Sequence, residues 1–115
     1  MPLLKLETTA VISEEKRQTL LASLSKAAAE IIGKPEQYVM VTAASSDILM
    51  SGKSGAAAFV EVRSIGGLSP DVNRQLAQKI CGLLNESLGV APNRIFLNFS
   101  DVDAGNWGWN GSTLG

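Results

Sequence analysis

A constant offset organises this chain. Ser13 and Ser69, Leu20 and Leu76, Leu24 and Ile80, and Gly33 and Gly89 all lie 56 residues apart. The paired residues also match in role. Ser13 and Ser69 are helix N-cap candidates. Acid follows each of them (Glu14 and Glu15; Asp71), where a carboxylate complements the positive end of the helix dipole. Pro70 takes a first helical position, where its missing N–H costs nothing. Apolar residues then recur at helical spacing: Leu20, Leu21, Leu24, Ala27, Ala28, Ile31 and Ile32 in one half, and Val72, Leu76, Ile80, Leu83, Leu84 and Leu88 in the other. Gly33 and Gly89 supply the left-handed residue that ends a helix, and Pro35 and Pro92 prevent continuation. One such match is chance; four in register with matching roles mark an internal duplication.

Each half is framed by segments rich in strand formers. These are Leu3–Glu7 and Tyr38–Thr42 in the first half, and Ala57–Arg63 and Arg94–Phe99 in the second. The order is β-α-β twice, each unit a right-handed crossover with parallel strands. The expected fold is α+β, one domain over residues 1–115 with repeats of about 1–56 and 57–115. Two β-α-β units form a four-stranded mixed sheet with both helices on one face. The other face is left bare. Val39 and Val41 alternate with Tyr38 and Met40, and Ile95, Leu97 and Phe99 alternate with Phe96, so these strands are apolar on both sides. Strands of that kind are buried on both faces. Apart from a short tail, the chain has nothing left to cover the second face, so the pattern predicts a homo-oligomer. The charged fraction of 18% agrees, being below the usual quarter or so.

Composition removes several classes of function. Hydrophobic residues make up 45%, enough for an ordered core. A net charge of −1 provides no electrostatic footprint for nucleic acid or an anionic membrane. No run approaches the ~20 apolar residues of a membrane span. Met1–Glu7 lacks the apolar core of a signal peptide. A soluble, cytoplasmic protein is expected, with non-classical secretion left open. There is no histidine, and Cys81 is the sole cysteine. Ser-His-Asp and Cys-His catalysis, His-based metal sites and an internal disulfide are therefore excluded. Cys81 reads as helix packing, and no metal or organic cofactor is implied. The tail from Asp101 to Gly115 holds both tryptophans among glycines and asparagines, with a turn signal at Asn110-Gly111. Tryptophans in such a setting need a surface to dock on, either a neighbouring subunit or a ligand pocket.

An ordered set of motifs then resembles one known family. Met1-Pro2, Gly33-Lys34-Pro35 with Gln37-Tyr38, Ser64-Ile65-Gly66, Cys81-Gly82-Leu83-Leu84, Pro92-x-Arg94-Ile95 and Asn106-Trp107-Gly108-Trp109-Asn110-x-Ser112-Thr113 follow one another along the chain. Together they resemble the macrophage migration inhibitory factor family of the tautomerase superfamily, over essentially the whole chain. The resemblance implies a homotrimer of a duplicated β-α-β unit with a catalytic amino-terminal proline. Removal of Met1, favoured by the small residue that follows, leaves Pro2 with a secondary amine. An α-amino group titrates near 8. Apolar burial and a nearby cation both lower that value. A neutral amine is a suitable base for a carbon acid next to a carbonyl, which gives a chain without histidine a route to acid–base chemistry.

The implied activity is keto–enol tautomerisation of phenylpyruvate-like aryl 2-oxo acids, in pockets between subunits. By resemblance, Lys34 and the backbone N–H of Ile65, with Ser64 beside it, bind the substrate carboxylate. Asn98 reaches the substrate from the adjacent subunit. Tyr38, Phe96, Trp107, Trp109 and Leu114 wall the pocket. Read without the family, Lys34 is a cation at a helix C-terminus, Asn98 an exposed or satisfied strand residue, and Ser64-Ile65-Gly66-Gly67 a turn before a helix. The chain also departs from the mammalian members. Phe96 stands where they have Tyr, Trp107 replaces a smaller aliphatic residue, and Leu114 replaces an aromatic one. Ala57 and Val60 occupy the positions of their CxxC pair, so thiol–disulfide activity is not implied. The alternative reading is a cytokine-like protein that binds a receptor and keeps a vestigial pocket.

Overall fold

Both helices begin and end on local chemistry. The Ser13 hydroxyl accepts from the Lys16 N–H at 3.4 Å, and the Ser69 hydroxyl accepts from the Val72 N–H at 3.2 Å. Gly33 and Gly89 close the helices in the left-handed conformation, with φ of 79° and 67°. Between these signals run α1 (Glu14–Ile32) and α2 (Pro70–Leu88), each of 19 residues. The computed structural model describes residues 1–115. Four main strands accompany the helices: β1 (Pro2–Thr8), β2 (Met40–Ser45), β3 (Ala58–Ser64) and β4 (Ile95–Asp101).

The strands form one sheet in the order β2-β1-β3-β4. β1 is parallel to β2 and β3 to β4, while β1 and β3 meet antiparallel in the middle, with Pro2 opposite Ser64 and Thr8 opposite Ala58. Alternate residues of the central strands, Leu4, Leu6, Val60 and Val62, are buried with Leu20 and Leu24 of α1 and Leu76, Ile80 and Leu84 of α2. Period-2 burial on the strands and helical spacing on α1 and α2 thus meet in one core on one side of the sheet. Full burial of each such side chain contributes about 1.5–3 kcal/mol.

Two expectations need correction. Tyr38 and Arg94 do not lie in strands; each ends a short 3-10 turn, Glu36–Tyr38 and Pro92–Arg94. Pro35 and Pro92 set the backbone angle there, and the Val39 N–H bonds back to the Glu36 carbonyl at 3.0 Å before the ladder opens at Met40. The helix-free face is also less apolar than β2 and β4 alone suggest. Met40 and Phe96, on the two edge strands, are 62% and 65% exposed. The central strands instead present Lys5–Glu7 and Arg63–Glu61 ion pairs, at 3.9 and 3.0 Å.

The tail returns to the sheet. A 3-10 turn at Ala104–Asn106 leads into a hairpin of β5 (Gly108–Trp109) and β6 (Ser112–Thr113). Asn110 and Gly111 turn it with φ of 53° and 78°, the pairing that a two-residue hairpin of type I′ requires. No helix is long and apolar enough to cross a membrane.

Candidate active site

Pro2 heads β1, where a residue without an N–H is tolerated. It is fully buried, and its register places it opposite Ser64 on β3, with Leu3 opposite Met40 on β2. Over it opens a cleft of about 300 Å³ lined by Met1, Pro2, Leu3, Gln37, Tyr38, Val39, Met40, Trp107, Gly108 and Trp109. The structure therefore brings Pro2, Tyr38, Trp107 and Trp109 together in one chain. A second cleft of about 280 Å³ shares Leu3, Trp107 and Gly108 and adds Arg63, Val102 and Asn106.

With Met1 in place the Pro2 nitrogen is an amide, and the terminal amine belongs to Met1. Burial, and then the charge of Lys34, hold that terminal ammonium below its ordinary value of 8.0. Lys34 follows the left-handed Gly33 and is half-buried across the turn that leaves β3. A Cβ on Gly67 would fall 2.8 Å from Cγ2 of Ile32 and 3.3 Å from Cε of Lys34, and one on Gly66 would lie 4.0 Å from the Lys34 Nζ. Both glycines have positive φ, 70° and 81°. At Gly67 a side chain would collide with Ile32 and crowd Lys34, so the turn packs here only without one.

Ser64 is buried, and its hydroxyl donates to the Gly66 carbonyl at 2.7 Å. The Gly66 N–H donates to Oδ1 of Asp101 at 2.9 Å, and the Val102 N–H donates to the Ser64 carbonyl at 2.9 Å. Ile65 sits half-buried between these fixed residues.

Six of the ten expected site residues do not line the Pro2 cleft: Lys34, Ser64 and Ile65, at the turn just described, and Phe96, Asn98 and Leu114. Phe96 and Asn98 are exposed on the helix-free face of β4, two strands across the sheet from β1. The Asn98 Oδ1 accepts from the Ser100 hydroxyl at 3.4 Å. Leu114 is tied by its N–H to the Trp107 carbonyl at 3.1 Å, so it borders the tail rather than the cleft. The cleft also holds residues that sequence reading did not assign to it, notably Met40 and Gln37. The exposed alternation of Met40 was legible but pointed only to a partner. Asp101 gave no signal, because an acid at a strand end reads as solvated. Burial pushes the Cys81 thiol above its ordinary 9.0, which disfavours the thiolate. No three His, Cys, Asp or Glu side chains stand together as a metal site.

A family model described as macrophage migration inhibitory factor matches residues 1–115. The chain belongs to the macrophage migration inhibitory factor family. A homologue from Trichuris trichiura is 36% identical over 115 residues, covering 99% of this chain and 100% of the relative. The protein from Meriones unguiculatus is 38% identical over 96 residues, 83% of this chain and 84% of its own. Among solved structures, the homologue from Prochlorococcus marinus superposes with a TM-score of 0.93 at 36% identity, covering 98% of this chain and 99% of that one. The like protein from Entamoeba histolytica also reaches 0.93, at 31% identity and 97% of both chains. The α+β fold with its duplicated unit is thus the family's fold. The family lies within the tautomerase superfamily, which supports an isomerase activity in general.

Proposed function

We propose that the chain, once Met1 is removed, is a keto–enol tautomerase acting on phenylpyruvate-like aryl 2-oxo acids. The observation that carries this reading is the position of the chain terminus. Pro2 is buried at the floor of an apolar cleft, and the Met1 amine, one residue away, is held below its ordinary value by burial and then by Lys34. Both causes favour the neutral amine, which is the form a general base needs.

The reaction moves one proton and calls for no cofactor. The Pro2 nitrogen takes a proton from the carbon beside the ketone, the C–H electrons move into the enolate, and the resulting ammonium returns the proton to oxygen. The reverse path turns enol into ketone. Lys34 and the Ile65 N–H hold the carboxylate. Ser64, whose hydroxyl is occupied by Gly66, serves by shaping the turn. Tyr38, Trp107 and Trp109 face the aryl ring. Phe96, Asn98 and Leu114 complete the pocket through a homotrimer, with Phe96 and Asn98 supplied by the adjacent subunit. The exposure of both on an edge strand supports that arrangement.

The relatives' name, macrophage migration inhibitory factor, suggests a second reading, a cytokine-like protein, for which a receptor partner and a vestigial pocket are part of the proposal. One experiment separates the two. In the processed protein, Pro2→Gly should slow conversion of phenylpyruvate enol to ketone by about a hundredfold or more, within the range for loss of a positioned base. Partner binding should be untouched. Unchanged turnover in Pro2→Gly would overturn the tautomerase reading.

A further inference from the structure

We infer that Asp101 is a positioning residue for the carboxylate site, holding the Ser64–Gly67 turn so that the Ile65 N–H faces a ligand beside Lys34. The inference rests on the tautomerase reading for the identity of the ligand, but not for its geometry.

Both polar groups of Gly66 are occupied. Its carbonyl receives the Ser64 hydroxyl at 2.7 Å, and its N–H is donated to the Asp101 carboxylate at 2.9 Å. Asp101 reaches the turn because it ends β4 directly opposite Ser64, and the Val102 N–H extends that pairing to the Ser64 carbonyl. Gly66 has φ of 70°, a conformation that a free glycine leaves readily. Two side-chain hydrogen bonds remove that freedom.

The first repeat provides an internal control. Thr8, Ala10 and Ser45 lie 56 residues before Ser64, Gly66 and Asp101. There the Ala10 N–H donates to the Thr8 hydroxyl at 3.3 Å, and the Ser45 hydroxyl donates to the Ala10 carbonyl at 2.8 Å. The clamp is present in both repeats, but its polarity is exchanged and only the second uses a carboxylate. The middle residues differ as well. The Thr9 N–H is consumed by the Ala57 carbonyl at 3.1 Å in the β1–β3 ladder. The β1–β3 pairing ends at Pro2 opposite Ser64, and the Ile65 N–H beyond it makes no hydrogen bond within the chain, so the second turn has a backbone donor left over. An anionic side chain close to an anion site is electrostatically costly. Its presence is explained by a carboxylate's two oxygens, both of which accept and neither of which donates, so the Gly66 N–H always finds an acceptor.

The test uses processed protein and the Asp101→Ala and Asp101→Asn variants. Asp101→Ala should raise KM for phenylpyruvate about tenfold, the loss of one charge-assisted hydrogen bond, with kcat within about twofold. Asp101→Asn keeps an acceptor and should restore KM to within about threefold of the parent. The methyl ester of phenylpyruvate, which has no carboxylate, should be insensitive to Asp101→Ala. Binding is read separately from turnover by titrating phenylpyruvate against the Ile65 amide resonance. A parent without turnover whose Ile65 amide still responds, and responds more weakly in Asp101→Ala, would sink the tautomerase reading and uphold this one. Unchanged KM and amide response in Asp101→Ala would overturn it. Equal damage to acid and ester, with a lowered Tm, would reduce Asp101 to a fold-stabilising residue and also overturn it. So would a parent Ile65 amide that ignores phenylpyruvate.

Discussion

Set side by side, the two β-α-β units match in their cores and differ at one end. Leu4 and Leu6 have Val60 and Val62 as counterparts 56 residues on, Leu20 has Leu76, Leu24 has Ile80, and all are essentially fully buried. Away from the core the pairs diverge. Lys34 corresponds to the buried Val90, and Tyr38, which lines the cleft, to Arg94. The Arg94 guanidinium instead clamps the 50–56 loop through the carbonyls of Met50, Lys53 and Ala56 at 2.9, 3.1 and 3.2 Å. Pro2 corresponds to Ala58, whose nitrogen lies inside the chain and can never become an amine. The difference teaches where chemistry can arise in a duplicated scaffold. On the reading proposed above the base is Pro2 of the first unit, and Lys34 and Tyr38, whose counterparts in the second unit are Val90 and Arg94, accompany it in that unit.

The largest effect bears on the matching parts. Leu20→Ala and Leu76→Ala should each lose about 2–5 kcal/mol in urea unfolding, as buried leucine truncations do. The two losses should agree within about 1 kcal/mol, given equal burial. A strongly unequal pair would break the symmetry of the core. Next comes the divergent pair. Lys34→Ala should raise KM for phenylpyruvate about tenfold through the lost charge-assisted contact. Its pH profile should also move. A cation lowers the pKa of a neighbouring amine, so removing it raises the pKa, and the rising limb of kcat/KM shifts to higher pH. Val90→Ala should cost stability and leave that limb in place; a shift there would contradict the division between the units. The smallest effect concerns the caps. Ser13→Ala and Ser69→Ala should each cost about 1 kcal/mol in thermal unfolding, with turnover unchanged.

These contrasts also explain what could be read from residues alone. Caps, stops and helix faces were legible because each depends on neighbours within a turn. The strand starts at Tyr38 and Arg94 were misplaced because strand propensity outweighed a turn imposed by Pro35 and Pro92. Lys5, Glu7, Glu61 and Arg63 make the helix-free face charged at its centre, a consequence of the antiparallel β1–β3 seam rather than of any one strand. Among the candidate site residues, Pro2, Lys34 and Tyr38 rest on a family resemblance that no periodicity supplies, whereas Trp107 is also marked by its setting among glycines and asparagines. The Asp101–Gly66 bond joins residues 35 apart, at a strand end and a turn, and leaves no trace in local pattern.

A nitrogen NMR titration of Pro2 in the Met1-processed protein goes to the base itself. The Pro2 nitrogen should titrate below the ordinary terminal value of 8.0, the direction in which burial and Lys34 move the Met1 amine. A Pro2 nitrogen that titrates at or above that value would leave an ammonium in the cleft at neutral pH and contradict its role as the proton acceptor.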